Sequence, residues 1–136
     1  MASFRYQGTN ASMWRDGLEE TMAAFRPVAD DVLILGDTPT PHADVPSCVA
    51  AHLNSLSRCN VNRSEAVKDR WLQADDEVAR AHDAQLVTTA DWLCGAEECP
   101  TVLGNVLLYR DESHLTTVAA ELLTPYVDAA LRAAMS

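Results

Sequence analysis

Apolar residues recur along the chain in two patterns, one typical of helices and one typical of strands. Near the start, large apolar side chains return about once per helical turn until a proline closes the segment, which predicts an amphipathic helix over residues 13–26. Its apolar positions are Trp14, Leu18, Met22 and Phe25. Residues 31–36 follow as a short continuous apolar run ending in glycine, and this pattern predicts a buried strand of a parallel sheet.

The two patterns alternate through the rest of the chain. They predict a short helix within residues 45–56, a long helix over 62–82 capped by Asn62 or Ser64, a strand at 85–89, a helical turn at 90–93, a strand or extended segment at 105–109 and a closing helix over 116–134. Because helices alternate with short apolar strands, we expect an α/β fold of three layers, α/β/α, with right-handed crossovers between parallel strands.

Composition and charge narrow the possible functions. The chain has 136 residues, which suits one compact domain, and its 48% hydrophobic and 22% charged residues are ordinary for a globular protein. The formal net charge of -10 opposes binding to nucleic acid or to an anionic membrane, so we expect neither partner. No segment has the pattern of a signal peptide or of a membrane span.

The four cysteines form two close pairs in the sequence, Cys48 with Cys59 and Cys94 with Cys99. Each pair brackets a loop of polar or small residues, which favours disulfides, although four cysteines allow three connectivities and pairing of sequence neighbours is an assumption. Zinc is the alternative, but the two gaps fit short Cys-x-x-Cys knuckles poorly, and we expect no metal. Disulfides indicate an oxidising compartment, so we expect the chain to be part of a larger exported or membrane-anchored protein.

One constellation of residues suggests chemistry. Asp111 and His114 lie three residues apart between an extended segment and the closing helix. In such a turn the imidazole can donate one N–H to the carboxylate and keep its other nitrogen as a base, which is half of a hydrolase triad. The alternative is a helix start at which both side chains are solvated or act as caps, and the spacing alone does not decide between them.

A wider set of motifs, taken in order, resembles a known family. The motifs are Asp37-Thr38-Pro39-Thr40-Pro41 after a strand, Asp44-Val45-Pro46-Ser47-Cys48, Cys59, Leu93-Cys94, Cys99-Pro100 and Tyr109-Arg110-Asp111 with His114-Leu115-Thr116. Together they resemble the SGNH domain that is fused to acyltransferase-3 membrane proteins, over nearly the whole chain. The resemblance implies a flavodoxin-like three-layer domain on the extracytoplasmic side that helps to O-acylate or deacylate cell-envelope carbohydrate.

The resemblance also implies roles for particular residues. Asp111 corresponds to the carboxylate that orients the imidazole, and His114 corresponds to the general base. The implied partners are an acylated carbohydrate or other O-acyl substrate and the membrane acyltransferase domain of the parent protein. No cofactor is implied.

The nucleophile of that family is a serine in a Gly-Asp-Ser block near the start of the domain, and no such block occurs in this sequence. We therefore expect residues 1–136 to be the C-terminal part of an SGNH domain, truncated on its N-terminal side and inactive alone. Thr38, in Gly36-Asp37-Thr38, is a weak candidate for the nucleophile, because the strand before it matches a later strand of the family and threonine is branched.

Other residues with chemical potential are assigned structural or surface roles. We expect surface roles for His42, His52 and His82, a solvated turn at Glu97 and Glu98 rather than a metal site, and core packing for Trp14, Trp71 and Trp92. The alternative function is a non-catalytic secreted or surface interaction domain built on the same disulfide-stapled α/β body.

Overall fold

Helices and short strands are interspersed along residues 10–136, the part of the chain that the computed structural model describes. The helices are α1 (Ala11–Phe25), α2 (Val45–Ala51), α3 (Arg63–Ala66), α4 (Asp69–Ala81), α5 (Ala90–Leu93) and α6 (Thr117–Ala134). The strands are β1 (Leu33–Leu35), β2 (Val61–Asn62), β3 (Gln85–Val87), β4 (Glu98–Cys99), β5 (Val102–Leu103) and β6 (Val106–Leu107). This mixed content confirms the predicted α/β class.

Two compact units make up the described chain, and each has its own buried residues. The first consists of residues 10–37, 68–88 and 129–136, and the second of residues 38–67 and 89–128. Within residues 10–136, no helix combines the length and the apolar character that crossing a bilayer requires.

The first unit contains the predicted parallel strand pair and the helices α1 and α4. Strands β1 and β3 pair in parallel, with Ile34 opposite Leu86. Glycine is favoured at Gly36, where β1 ends, because a Cβ there would lie 3.3 Å from the carbonyl oxygen of Val87, a tight contact. The parallel pairing predicted from the apolar runs is confirmed.

Helix α1 packs against α4 through a small apolar surface with one buried carboxylate. Met22 of α1 and Val78 of α4 are buried, and the ring centroids of Trp14 and Trp71 lie 5.8 Å apart in an edge-on arrangement. The Trp14 indole Nε1 donates a 2.7 Å hydrogen bond to Asp75 Oδ1. Burial raises the pKa of Asp75, against the opposing effect of this hydrogen bond.

The second unit has a core in which segments distant in sequence meet. Its buried residues are Val45, Leu93, Leu108, Tyr109 and Ala119, and the neighbouring apolar side chains of α2, β6 and α6 pack around them. The core therefore joins four parts of the unit: α2, which follows the proline loop, α5, the segment that connects β6 to α6, and α6 itself.

The long helix predicted over residues 62–82 is wrong in one respect, because the structure divides it into α3 and α4. Val67 is extended, with φ -108° and ψ 117°. The cause lies in the proline loop: the Thr40 backbone N–H donates to the carbonyl of Ala66 at 2.9 Å, and His42 Nε2 lies 3.1 Å from the carbonyl of Glu65. These two carbonyls are the ones that a continuous helix would need for its next turn.

The predicted extended segment at 105–109 does not join the parallel pair. Its first part forms β6, which pairs antiparallel with β5, with Leu103 opposite Val106. Gly104 has φ +61°, so Gly104 and Asn105 form a two-residue hairpin turn in which a positive φ is needed. The Gly-Asn pair between two apolar dipeptides was the sequence signal for this hairpin.

Candidate active site in the Asp111–His114 loop

The predicted Asp111 and His114 lie in a closed loop between β6 and α6. The base of the loop is buried, since Leu108 and Tyr109 belong to the core of the second unit. Tyr109 pairs with Leu115 as an isolated antiparallel bridge, and the Arg110 backbone N–H donates to the His114 carbonyl at 2.9 Å. The two sides of the loop are therefore held together directly beneath the two side chains of interest.

The Asp111 carboxylate is oriented by its own loop. Its Oδ1 accepts hydrogen bonds from the backbone N–H groups of Ser113, at 2.8 Å, and of His114, at 2.7 Å. Its Oδ2 lies 2.8 Å from His114 Nδ1. The backbone bond from His114, then that from Ser113, lower the pKa of Asp111 to about 2, with smaller contributions from the imidazole. Asp111 is therefore ionised at neutral pH.

The contact with Asp111 determines how the His114 ring can act. An ionised carboxylate can only accept a hydrogen bond, so in the neutral imidazole Nδ1 carries the proton and Nε2 carries the lone pair. Within residues 10–136, Nε2 of His114 forms no hydrogen bond, and the side chain is 49% exposed. Ser113 Oγ lies 3.4 Å from Nδ1, on the side of the ring that is already occupied. The nitrogen suited to a base is the one that remains available.

Two further charged groups lie near the pair. The Arg110 Nε is 3.7 Å from Asp111 Oδ2, and with that side chain 66% exposed the attraction is weak. Asp44 caps α2 by accepting from the Ser47 backbone N–H at 2.9 Å. Hydrogen bonds from Ser47 lower the pKa of Asp44, and the charge of Asp111 opposes this effect, so the two carboxylates sense each other.

Thr38, the weak nucleophile candidate, is not hydrogen-bonded to His114. It follows β1 at the start of the proline loop and is half-buried. The hydrogen bonds of the His114 side chain within residues 10–136 go to Asp111 and Ser113. Among residues 10–136, the structure therefore brings Asp111 and His114 together but places no hydroxyl group within hydrogen-bonding distance of Nε2 of His114.

Both predicted cysteine pairs are disulfides, Cys48 with Cys59 and Cys94 with Cys99. The two stapled segments are joined, since β2 pairs with β4 and places Val61 opposite Cys99. Arg63 extends this junction: its guanidinium donates to the Gly95 carbonyl at 3.1 Å and to Asp91 Oδ1 at 2.7 Å. The disulfides thus brace α2 and α5, which supply Val45 and Leu93 to the core beneath the loop.

The possible metal ligands have other partners. Atoms of Cys48, His52 and Cys59 lie within 4.8 Å of one another, but both sulfurs are in a disulfide and are not thiolates. Glu97 and Glu98 are exposed, and Glu98 Oε2 accepts from Asn60 Nδ2 at 3.1 Å. Both acidic side chains therefore lie on the surface of the segment that the Cys94–Cys99 disulfide closes.

The other histidines have structural contacts, whereas the core packing predicted for the three tryptophans is wrong for Trp14, which is 41% exposed, and Trp71 and Trp92 are only partly buried. His42 contacts the Glu65 carbonyl, His52 Nδ1 lies 2.9 Å from the Cys48 carbonyl, and His82 Nε2 lies 2.9 Å from Glu19 Oε1. The rings of Trp92 and Tyr126 lie 5.6 Å apart, with Tyr126 52% exposed. Of the four histidines, His114 is the one that is bound to a carboxylate within its own loop.

Sequence reasoning missed what holds the loop in place. Thr116 is the cap that precedes α6: its Oγ1 accepts from the Ala119 N–H at 3.1 Å and donates to the Leu107 carbonyl at 2.7 Å. A threonine immediately before a helical apolar stripe is a capping signal, and it was present in the sequence. The bond to Leu107 had no sequence signal, because it depends on where β6 ends.

Comparison with known proteins gives one match. A family model described as an SGNH domain (fused to AT3 domains) matches residues 2–129. No curated protein and no solved structure matches the chain significantly.

Proposed function

Because the chain belongs to the family of SGNH domains of the type fused to AT3 domains, which is a hydrolase or acyltransferase type of domain, we propose that Asp111 and His114 are the acid and base of a serine-ester acyl-transfer site. The observation that carries this proposal is the 2.8 Å contact between His114 Nδ1 and Asp111 Oδ2. Asp111 keeps the imidazole in one tautomer, and Nε2 of His114 is left to take a proton.

The proposed reaction has two steps. In the first, Nε2 of His114 takes the proton from a serine hydroxyl, and the serine oxygen attacks the acyl carbonyl of an ester. The carbon–oxygen bond to the first alcohol breaks, and the imidazolium returns its proton to that leaving oxygen. In the second, Nε2 of His114 takes a proton from a carbohydrate hydroxyl or from water, whose oxygen attacks the acyl-serine. The bond from the acyl carbon to the serine oxygen breaks, and the imidazolium returns its proton to that oxygen. The negative charge of Asp111 stabilises the imidazolium in both steps.

The serine belongs, in this proposal, to a part of the domain outside residues 1–136. None of the glycines of this sequence is followed by Asp-Ser, and the closest match is Gly36-Asp37-Thr38. The chain alone is then close to inactive, because triad members act as a unit and most of their joint effect is lost with the nucleophile.

The proposed setting is the extracytoplasmic side of a membrane, with an acyltransferase-3 domain as the partner in the parent protein. The description of the family supports the fusion, and two disulfides are typical of an oxidising compartment. The proposed substrates are acyl esters of cell-envelope carbohydrate.

A covalent probe can test the proposal. A fluorophosphonate forms an oxygen–phosphorus bond with an activated serine and releases fluoride, so it labels only a nucleophile that has its base. We expect no label on the 136-residue chain, and a label on a longer protein from the same reading frame that contains a Gly-Asp-Ser block. In that protein His114→Ala should abolish labelling, and His52→Ala, the matched control, should leave it unchanged.

Three results would count against the proposal. Labelling of the chain itself at Thr38, lost in His114→Ala, would place the nucleophile within these residues. Equal labelling of the longer protein and of its His114→Ala variant would show that His114 is not the base that activates the serine. If every form stayed unlabelled and failed to hydrolyse p-nitrophenyl acetate, the chain would be a non-catalytic interaction domain instead.

A further inference from the structure

The loop that carries Asp111 and His114 is closed by three successive hydrogen bonds between its two sides. The outermost runs from Arg110 N–H to the His114 carbonyl, and the next runs from Thr116 N–H to the Leu108 carbonyl at 2.9 Å; together these two bonds form the Tyr109–Leu115 bridge. The third runs from Thr116 Oγ1 to the Leu107 carbonyl at 2.7 Å. The first two involve backbone groups that most residues could supply. The last depends on a side chain.

Every polar group of Thr116 is used. Its hydroxyl donates to the carbonyl of Leu107 at the end of β6, and its N–H donates to the carbonyl of Leu108, the next residue. Its carbonyl accepts from Ala120 N–H at 3.0 Å, and its hydroxyl oxygen accepts from Ala119 N–H in α6. A hydroxyl can donate one hydrogen bond and accept others, and here it does both. Thr116 therefore ties the last residue of β6 to the first turn of α6 through one oxygen atom.

This tie matters because packing does not hold the two functional side chains. His114 is 49% exposed and Asp111 is 37% exposed, so hydrogen bonds rather than surrounding atoms determine where they lie. Leu115 is the only residue between His114 and Thr116, and it packs against the core cluster. A shift at residue 116 would therefore move the His114 backbone, whose N–H and carbonyl belong to the loop's hydrogen bonds.

We infer that Thr116 is a positioning residue for the acyl-transfer site, and that its hydroxyl fixes the loop in the arrangement that brings His114 and Asp111 together. The inference rests on the proposed function. Misplacing a reacting group by about 1 Å can lower a rate about 100-fold, so a residue that touches no substrate can still control it.

Amide hydrogen exchange of the chain tests the inference without reference to activity. Thr116→Val keeps the shape of the side chain and removes its hydroxyl, and Thr116→Ser keeps the hydroxyl. In Thr116→Val, the amides of Arg110, Ser113 and His114 should exchange about tenfold faster, the size expected for the loss of one hydrogen bond that restrains local opening. Thr116→Ser should restore the wild-type rates.

The main alternative is that Thr116 is only a helix cap that adds stability. Asn10→Ala is the matched control, because Asn10 caps α1 by accepting from the Met13 N–H at 2.9 Å and lies in the first unit. That variant should leave the three loop amides unchanged. If Thr116→Val fails to fold, Thr116→Ala, which also lacks the hydroxyl, replaces it. Unchanged loop amides in the hydroxyl-free variant, or acceleration spread equally over the whole chain, would overturn the inference.

Kinetics separates this inference from the proposed function. In a longer protein with the serine block, Thr116→Val should lower kcat about 10- to 100-fold with KM within about twofold, since the base is misplaced while the substrate contacts remain. If Thr116→Val lowered KM alone, or if its kcat equalled that of Thr116→Ser, the result would contradict the positioning role of Thr116. If the loop amides open as expected but His114→Ala keeps full activity, the proposed function fails and the structural part of the inference stands.

Discussion

Two histidines of this chain contact a carboxylate at nearly the same distance, yet their surroundings differ. His114 Nδ1 lies 2.8 Å from Asp111 Oδ2, and His82 Nε2 lies 2.9 Å from Glu19 Oε1. The first pair lies within one loop, three residues apart, whereas the second joins the end of α4 to α1. A contact between a histidine and a carboxylate therefore does not by itself identify a site of chemistry.

The difference lies in how each carboxylate is held and in which nitrogen stays available. Asp111 is fixed by two backbone N–H groups and leaves Nε2 of a 49% exposed ring available. Glu19 is 51% exposed, and it binds Nε2 of a ring that is 17% exposed. The first arrangement orients a base toward solvent, and the second joins two helices.

The largest expected difference between the two histidines is in catalysis. In a longer protein that contains the serine block, His114→Ala should lower kcat/KM by at least about 1,000-fold, since the base and the nucleophile act as a unit. His82→Ala should leave kcat/KM within about twofold, because it removes a contact between helices and no reacting group. A comparable loss of kcat/KM in both variants would contradict the proposed difference between the two histidines.

Removing a disulfide should destabilise the unit that carries the Asp111–His114 loop. Both disulfides lie in the second unit, where they brace the segments beneath the Asp111–His114 loop. Replacing Cys48 and Cys59 by serine should lower the free energy of unfolding by about 2–3 kcal/mol, by relieving a constraint on the unfolded chain. Chemical denaturation checks this value, and a loss below about 0.5 kcal/mol would mean that this disulfide contributes little to stability.

The helix-joining pair should make a smaller contribution to stability. Glu19→Gln removes the charge that faces His82 and should lower the free energy of unfolding by no more than about 1 kcal/mol, as for other exposed ion pairs. Urea denaturation measures it, with Glu20→Gln on the same helix as the control. A loss of several kcal/mol would mean that this pair carries more of the fold than its exposure suggests.

The smallest effect concerns the titration of the loop carboxylate. The pKa of Asp111 is about 2 in the folded chain, below its ordinary value of 3.8, so its contacts stabilise the fold fully above a pH of about 3.8 and less as the pH falls toward 2. A carboxyl carbon NMR titration checks the midpoint. Asp75 provides the contrast, because burial raises its pKa and it should titrate above 3.8. A midpoint for Asp111 at or above 3.8 would contradict the geometry.

Local sequence signals were enough to predict much of this fold. Helical periodicity located α1 and α6, apolar runs located β1 and β3, and short gaps between cysteines gave both disulfides. Each of these features depends on residues close together in the chain, which is where sequence patterns carry most information.

What the sequence did not predict depends on contacts between distant segments. The break at Val67 arises because His42 and Thr40 take the carbonyl positions that α3 needed to continue, and neither glycine nor proline marks it. The bond from Thr116 to Leu107 likewise exists only once the loop has closed. The two backbone bonds to Asp111 are different, because they come from residues two and three positions later and are local to the turn. The spacing of Asp111 and His114 indicated a pair but not its orientation.

The most direct test of the central claim is to measure which nitrogen carries the proton in each neutral imidazole, by long-range ¹H–¹⁵N NMR of the wild-type chain at alkaline pH. We predict that His114 is protonated on Nδ1, because Asp111 accepts from that atom, and that His82 is protonated on Nε2, because Glu19 accepts there. Asp111→Asn should change the first and leave the second unaltered. A His114 ring that carries its proton on Nε2 in the wild type would contradict the account, since that nitrogen could not then act as the base.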